Sequence, residues 1–327
     1  MRYFVGVDVG GTNIVVGLLD DAGQLLDKKK QSTEAERGSE SIISKIADAV
    51  RQLLQENALH VNDVQAVGIG VPGFVDPQRG ICQFSANLHW RDEPVAEKVQ
   101  RQLGIPVFID NDVRMYVYGE AMHGAGQGGA HVLGLTLGTG IAAAVVSGGQ
   151  LYYGNRFMAG ELGHIRMEGE TAPCNCGLHG CLETVASATG IVRLARERLT
   201  SGLGSGQSSL LQQSFAEAPE RLTARDVSVA YDRGDELAKQ VFVHAGTQLG
   251  RALSYAVMLF SPDVIVIGGG LAAAGERLLQ PVRETLKAYV LPVYWDNLSI
   301  RVAQLQGVAG VVGSALFAKQ RRAQLQR

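Results

Sequence analysis

Gly6-Val7-Asp8-Val9-Gly10-Gly11-Thr12 and Gly134-Leu135-Thr136-Leu137-Gly138-Thr139-Gly140 share one pattern. Each is an apolar, β-branched run that breaks at a Gly/Thr turn and resumes as a second apolar run, over 13–19 and 141–146. A third extended run follows in both places, after Asp21-Ala22-Gly23 and after Ser147-Gly148-Gly149. One such match is weak. Three strands in the same order, twice, argue for an internal duplication.

Outward from these repeats, strand-like and helix-like segments alternate. Ile42, Ile43, Ile46, Ala49, Val50, Leu53 and Leu54 recur at helical spacing across 41–55. Residues 64–71 read as a continuous apolar strand stopped by Pro72-Gly73, 93–103 as a helix, and 107–109 as a short strand. Further on, 202–220 reads as a Ser/Gly/Gln-rich loop with one short helix, and Thr223 as the N-cap of the next helix. Residues 235–260 read as a long buried helix, 263–267 as a strand, and 271–290 and 309–326 as helices. This alternation predicts α/β sheets covered by helices. The expected division is a small domain of 1–115, a large one of 116–308, and a last helix, 309–327, folding back onto the first. A duplicated α/β fold of this kind is expected to take ligands in the cleft between its halves.

Composition fits that scale. The 327 residues correspond to about two domains. With 46% hydrophobic and 19% charged residues the chain can bury large cores. A net charge of −2 makes no electrostatic case for nucleic acid or an anionic membrane. No apolar run approaches the ~20 residues that span a bilayer. The N-terminus reads as a strand rather than a signal peptide, so a cytoplasmic location is expected.

The residues able to do chemistry sit at the turns. Gly10 and Gly11 let backbone N–H groups approach a phosphate, Thr12 adds a hydroxyl, and Asp8 can hold a hydrated Mg²⁺. The plainer reading is a hairpin turn with Asp8 as a local cap. Gly138 and Thr139 form the second such turn, so the pair can hold the β- and γ-phosphates of a triphosphate. Gly268, Gly269 and Gly270, after a strand, can let adenine and ribose lie against backbone; alone they equally suit a helix-packing turn. Asp110-Asn111-Asp112 follows a short buried strand. Phosphoryl transfer needs alignment, charge neutralisation and a group that accepts the hydroxyl proton, and Asp112 is the candidate base. The competing reading makes one of the two acids the cap of the helix that follows.

Cys174, Cys176 and Cys181 fall within eight positions, downstream of Glu161-Leu162-Gly163-His164 and ahead of Glu183. In a reducing compartment this clustering argues for metal over disulfides. Three thiolates and the imidazole of His164 suit a closed, structural tetrahedral Zn²⁺, with His179 left exposed. Cys82 stands apart as an ordinary thiol. Asn87-Leu88-His89-Trp90, in an expected loop, offers an amide and an aromatic to a sugar, although Trp90 alone more often belongs to a core.

Together these motifs resemble the ROK family (repressor, open reading frame, kinase), and within it the bacterial glucokinases, over almost the whole chain. The resemblance implies a duplicated ribonuclease H-like fold of the hexokinase–actin type, ATP with Mg²⁺, and a homodimer or homotetramer. It implies Asp112 as catalytic base and Asn87, Asn111, Asp112, Glu161, His164 and Glu183 as sugar contacts. It also implies His164, Cys174, Cys176 and Cys181 as zinc ligands, and the glycine turns as nucleotide contacts. Two departures stand out: Ile141-Ala142-Ala143 where the family often continues with glycines, and Val113-Arg114 where Ala-Asn is common. Arg114 could act behind the base or at a subunit interface.

The expected activity is ATP-dependent phosphorylation of a hexose, glucose at its 6-OH first. N-acetylmannosamine, N-acetylglucosamine, fructose and allose are alternatives. A sugar-responsive repressor is the rival class. It needs a DNA-reading module, and only two residues precede the first expected strand, with no basic arm.

Overall fold

The computed structural model describes residues 2–201 and 208–326; 202–207, within the expected loop, lie outside the described residues. The chain divides into two compact units. One comprises Met1–Gly134, Ala144–Ala159 and Ala303–Arg327; the other comprises Leu135–Ala143 and Gly160–Val302.

β1 (Tyr3–Val9), β2 (Asn13–Leu19) and β3 (Leu25–Ser32) form an antiparallel meander. α1 (Ser39–Glu56) carries the chain to β4 (Val64–Val71), which pairs parallel to β1. A small sheet of β5 (Phe74–Asp76), β6 (Ile81–Ser85) and β7 (Trp90–Glu93) follows, then α2 (Val95–Leu103), β8 (Val107–Asn111) and α3 (Asp112–His123). The main sheet runs β3-β2-β1-β4-β8. Ile42, Ile46, Val50 and Leu53 of α1 pack with Val5, Val7, Val67 and Ile69 in one fully buried core.

The pattern recurs. β9 (His131–Leu137), β10 (Ile141–Ser147) and β11 (Gln150–Leu151) lead into the helices α4 (Glu183–Ala186), α5 (Ala188–Thr200), α6 (Gln212–Glu217), α7 (Ala224–Asp232) and α8 (Glu236–Phe260). β12 (Val264–Gly268), α9 (Glu276–Tyr289), α10 (Pro292–Asp296), β13 (Ser299–Val302) and α11 (Ala309–Leu325) complete the chain. The second sheet runs β11-β10-β9-β12-β13. Numbered within each repeat, both sheets read 3-2-1-4-5, which is the duplication seen in the two Gly/Thr turns. α11 lies on β1, β2, β4 and α3, where Val311, Val312, Ala315 and Ala318 pack with Phe4, Leu19 and Ala66.

Several segments differ from expectation. Trp90 is not in a loop: it opens β7 and is buried. The helix expected from 93 starts at Val95, because Glu93 closes β7 and Pro94 occupies the N-cap. The helix expected over 271–290 is interrupted at Gly275, whose φ of 57° separates a short 3-10 turn, Gly270–Ala274, from α9. Thr223 does cap α7, accepting from the Asp226 N–H while the Asp226 carboxylate accepts from the Thr223 N–H. No helix among the described residues is long and apolar enough to cross a membrane.

Candidate active site

In the first unit the C-terminal tips of three parallel strands come together, since Asp8 pairs with Gly70 and Gly70 with Asp110. Open α/β sheets take ligands at such tips. The turn after β1 is pinned from below: the Gly10 N–H donates to the Asn13 carbonyl, Thr33 Oγ1 to the Gly10 carbonyl at 2.7 Å, and the Thr33 N–H to the Thr12 carbonyl. Gly11 and Thr12 are exposed on its outer side. Asn87, also exposed, stands beside the turn, its Cβ 3.6 Å from where a methyl on Gly11 would lie.

Asp112 opens α3, and neither acid of the triplet caps that helix. The cap is Asn111, whose Oδ1 accepts from the Arg114 N–H at 3.1 Å. Asn111 Nδ2 donates to the Gly73 carbonyl and to Asp112 Oδ1, at 3.1 and 3.0 Å. Asp112 Oδ1 also accepts from the Val113 N–H at 2.9 Å, so two donors fix the carboxylate orientation. Burial raises the Asp112 carboxyl above its ordinary range. Asp8 is raised to about 7, by burial first and then by the charge of Asp112. Its carboxylate lies against the first turn of α11, 2.6 Å from where a Cβ on Gly310 would stand.

In the second unit, the Gly138–Gly140 turn closes through the Gly138 N–H donating to the Gly140 carbonyl, and α5 starts directly beneath it. The Ala188 N–H donates to the Gly138 carbonyl, and Thr189 Oγ1 to the Thr139 carbonyl at 2.7 Å. Gly269, at φ 82°, passes so close to β9 that a Cβ would stand 2.4 Å from the Leu137 carbonyl oxygen. This contact sets Gly268, Gly269 and Gly270 beside the strand that leads into the turn. A cavity of about 490 Å³ is lined by Thr139, Thr189, Arg193, Arg196 and Thr223. A second, of about 480 Å³, is lined by Gly270, Leu271, Arg225, Ser228 and Arg277, and Ala188 and Ala224 border both.

His164, Cys174, Cys176 and Cys181 place one donor atom each within 4.8 Å of all the others. Cys174 Sγ is 3.7 Å from His164 Nδ1, and Cys176 Sγ is 3.7 Å from Cys181 Sγ. Zn–S bonds of about 2.3 Å put the edges of a tetrahedron at roughly 3.8 Å, so the donor set fits that ion. His164 presents Nε2 to Glu161 Oε2 at 3.7 Å, and His179 is exposed outside the set. Glu183 links this loop to the glycine turn. Its Oε1 is 3.7 Å from Cys174 Sγ, and its Oε2 accepts from the Ile141 N–H at 3.0 Å. Gly140 makes room for it, since a Cβ there would stand 2.3 Å from Oε2.

The model of the ROK family matches residues 4–321. The chain belongs to the ROK family. A glucokinase of Halalkalibacterium halodurans is 39% identical over 327 residues, covering 100% of this chain and 98% of that protein. A glucokinase of Thermotoga maritima is 37% identical, covering 97% of each. Among solved structures, a ROK family glucokinase from Streptomyces griseus in complex with glucose and AMPPNP matches with a TM-score of 0.77 and 34% identity, over 97% of this chain and 99% of that one. The fold is therefore the hexokinase–actin type, with the repeated five-stranded sheets described above.

Within this ROK chain, sequence reasoning passed over Ala188, Thr189, Arg193, Arg196 and Arg277 around the two cavities. The one local signal is Ser187, whose side chain accepts from the Gly190 N–H and caps α5. Of the partners of Asp110, Arg114 stands out in the sequence as a departure that could act behind the base, whereas Tyr153 carries no such signal. Arg114 Nε donates to Asp110 Oδ1 and the Tyr153 hydroxyl to Asp110 Oδ2, each at 2.6 Å.

Proposed function

We propose that the chain is an ATP-dependent hexose kinase that converts glucose to glucose 6-phosphate. One observation carries this reading: the Asp112 carboxylate stands at a strand tip with Oδ1 engaged by two donors. Oδ2 is then the oxygen assigned to take the proton of the sugar hydroxyl as that hydroxyl attacks the γ-phosphate. The glucokinases named above, one of them solved with glucose and AMPPNP, support the reading.

The remaining assignments rest on the family resemblance and on the surroundings of each residue within its own unit. Asp112 with Asn87, Asn111, Glu161, His164 and Glu183 would contact the sugar. Asn111 spends its amide on the Gly73 carbonyl, the Arg114 N–H and Asp112, so its larger part is to orient the base. Gly10, Gly11, Thr12, Gly138 and Thr139 would hold phosphates, and the cavities beside Ala188 and Gly270 would take the nucleoside. Mg²⁺ would enter with ATP near Asp8 and offset phosphate charge. Zn²⁺ on His164, Cys174, Cys176 and Cys181 would be structural and would steady Glu161 and Glu183. We assign the enzyme to the cytoplasm, to carbohydrate metabolism, and to a homodimer or homotetramer.

An ADP-release assay with glucose, N-acetylmannosamine, N-acetylglucosamine, fructose and allose tests the substrate. Glucose should show the highest kcat/KM. A tenfold preference for any other sugar in the panel would move the assignment to that sugar.

A further inference from the structure

Asp110, Arg114 and Tyr153 form a buried polar cluster immediately behind the Asp112 tip. Asp110 is fully buried and Arg114 is 5% exposed. Asp110 Oδ1 accepts from the Asn111 N–H at 2.7 Å as well as from Arg114 Nε, and Oδ2 accepts from the Tyr153 hydroxyl. Asn111 Oδ1 accepts from the Arg114 N–H. The backbone of 110–114 is thus closed into a ring by side chains, with Asp112 inside it.

Arg114 extends this ring outward. Its Nη1 donates to the Phe157 carbonyl at 2.9 Å, and its guanidinium carbon lies 5.3 Å from the Tyr153 ring centroid. The Tyr153 and Phe157 rings meet edge to face, with centroids 5.5 Å apart. Arg156 and Phe157 both hold positive φ, 51° and 61°. That backbone region is costly for a bulky side chain and persists where its surroundings enforce it. The bond from Arg114 to the Phe157 carbonyl is one such constraint.

We propose that Arg114, buttressed by Asp110 and Tyr153, is the positioning residue that holds Asp112 in its reactive place. The assignment rests on the kinase reading. Arg114 touches no reacting atom. It acts through the 110–114 ring, where a displacement of about 1 Å can cost roughly 100-fold in rate. Lysine would not replace it, because one ammonium cannot present the two-pronged geometry that meets both Asp110 and Phe157.

The test pairs Arg114→Met with Asp110→Asn, so that no lone charge is left buried. Melting temperature, kcat and KM for glucose are measured in the wild type, in the paired variant, in Tyr153→Phe, and in the paired variant on an Asp112→Asn background. The folded paired variant should lose roughly 10–100-fold in kcat, with KM for glucose within about threefold. Tyr153→Phe should show a smaller loss in the same direction. On the Asp112→Asn background the paired change should lower the residual kcat by less than about threefold, because residues acting as one unit are not additive. Wild-type kcat in the folded paired variant would overturn the proposal, and so would an equal fold-loss with and without Asp112. Should the paired variant fail to fold, an unchanged kcat in Tyr153→Phe overturns it. Wild-type protein that phosphorylates no hexose sinks the kinase reading and this inference together; active wild type with an indifferent cluster sinks the inference alone.

Discussion

Asp8 stays protonated in the folded chain up to about pH 7, against about 3.8 when unfolded. The sign of its effect follows from linkage: the folded state binds more protons, so the stability this group contributes is complete below about pH 3.8 and is lost as the pH rises through 7. Asp8→Asn, which mimics the protonated form, should therefore raise the melting temperature of the ligand-free protein at pH 8 and change it little at pH 4. Equal differences at both pH values would contradict the half-buried, proton-holding carboxyl. At this scale the roles of single residues are only partly legible in the sequence. An acid just after a short apolar run is held rigidly, which marks Asp110 and Asp112 alike, and Asp112 is proposed as the base only in company with the glycine turns and the cysteine loop. The cap of α3 cannot be assigned so easily, because Asp110, Asn111 and Asp112 all favour caps, and only the Asn111–Arg114 bond decides among them. Tyr153 and Phe157, which meet Asp110 and Arg114, each lie 43 residues away in sequence, beyond any local pattern.

At the scale of elements, the cysteine loop is a short hairpin tied by backbone bonds at its base and tip. The Cys174 N–H donates to the Leu178 carbonyl, the Gly177 N–H to the Cys174 carbonyl, and isolated bridges join Arg166 with Cys181 and Pro173 with His179. The purified protein should carry one zinc per chain by elemental analysis. Cys181→Ser should lose that zinc, lower the melting temperature and reduce kcat, because the loop carrying Glu183 would loosen. Full zinc content in this variant would remove Cys181 from the ligand set. The long elements were readable: apolar spacing marks α1 and α8, and the continuous apolar run marks β4. The sheet of β5, β6 and β7 was not, because strands of 3–5 residues with polar positions give too short an alternation. The break before α9 was hidden as well, since Ala272 to Ala274 continue an apolar pattern across a glycine whose φ is set by the fold.

For the whole molecule, the duplication visible in two Gly/Thr turns is the most reliable reading, because the same strand order must serve both copies. Fold and chemistry remain separate inferences, since one architecture can host a kinase or a regulator. The kinase reading proposed above turns on the carboxylate of Asp112. Its direct test is ADP release with glucose and ATP by wild type and Asp112→Asn, with glucose binding followed by calorimetry. The variant should bind glucose with near wild-type affinity and turn over about 10²–10⁴-fold more slowly. Near-normal turnover in a variant that still binds glucose would contradict the assignment of Asp112 as the base.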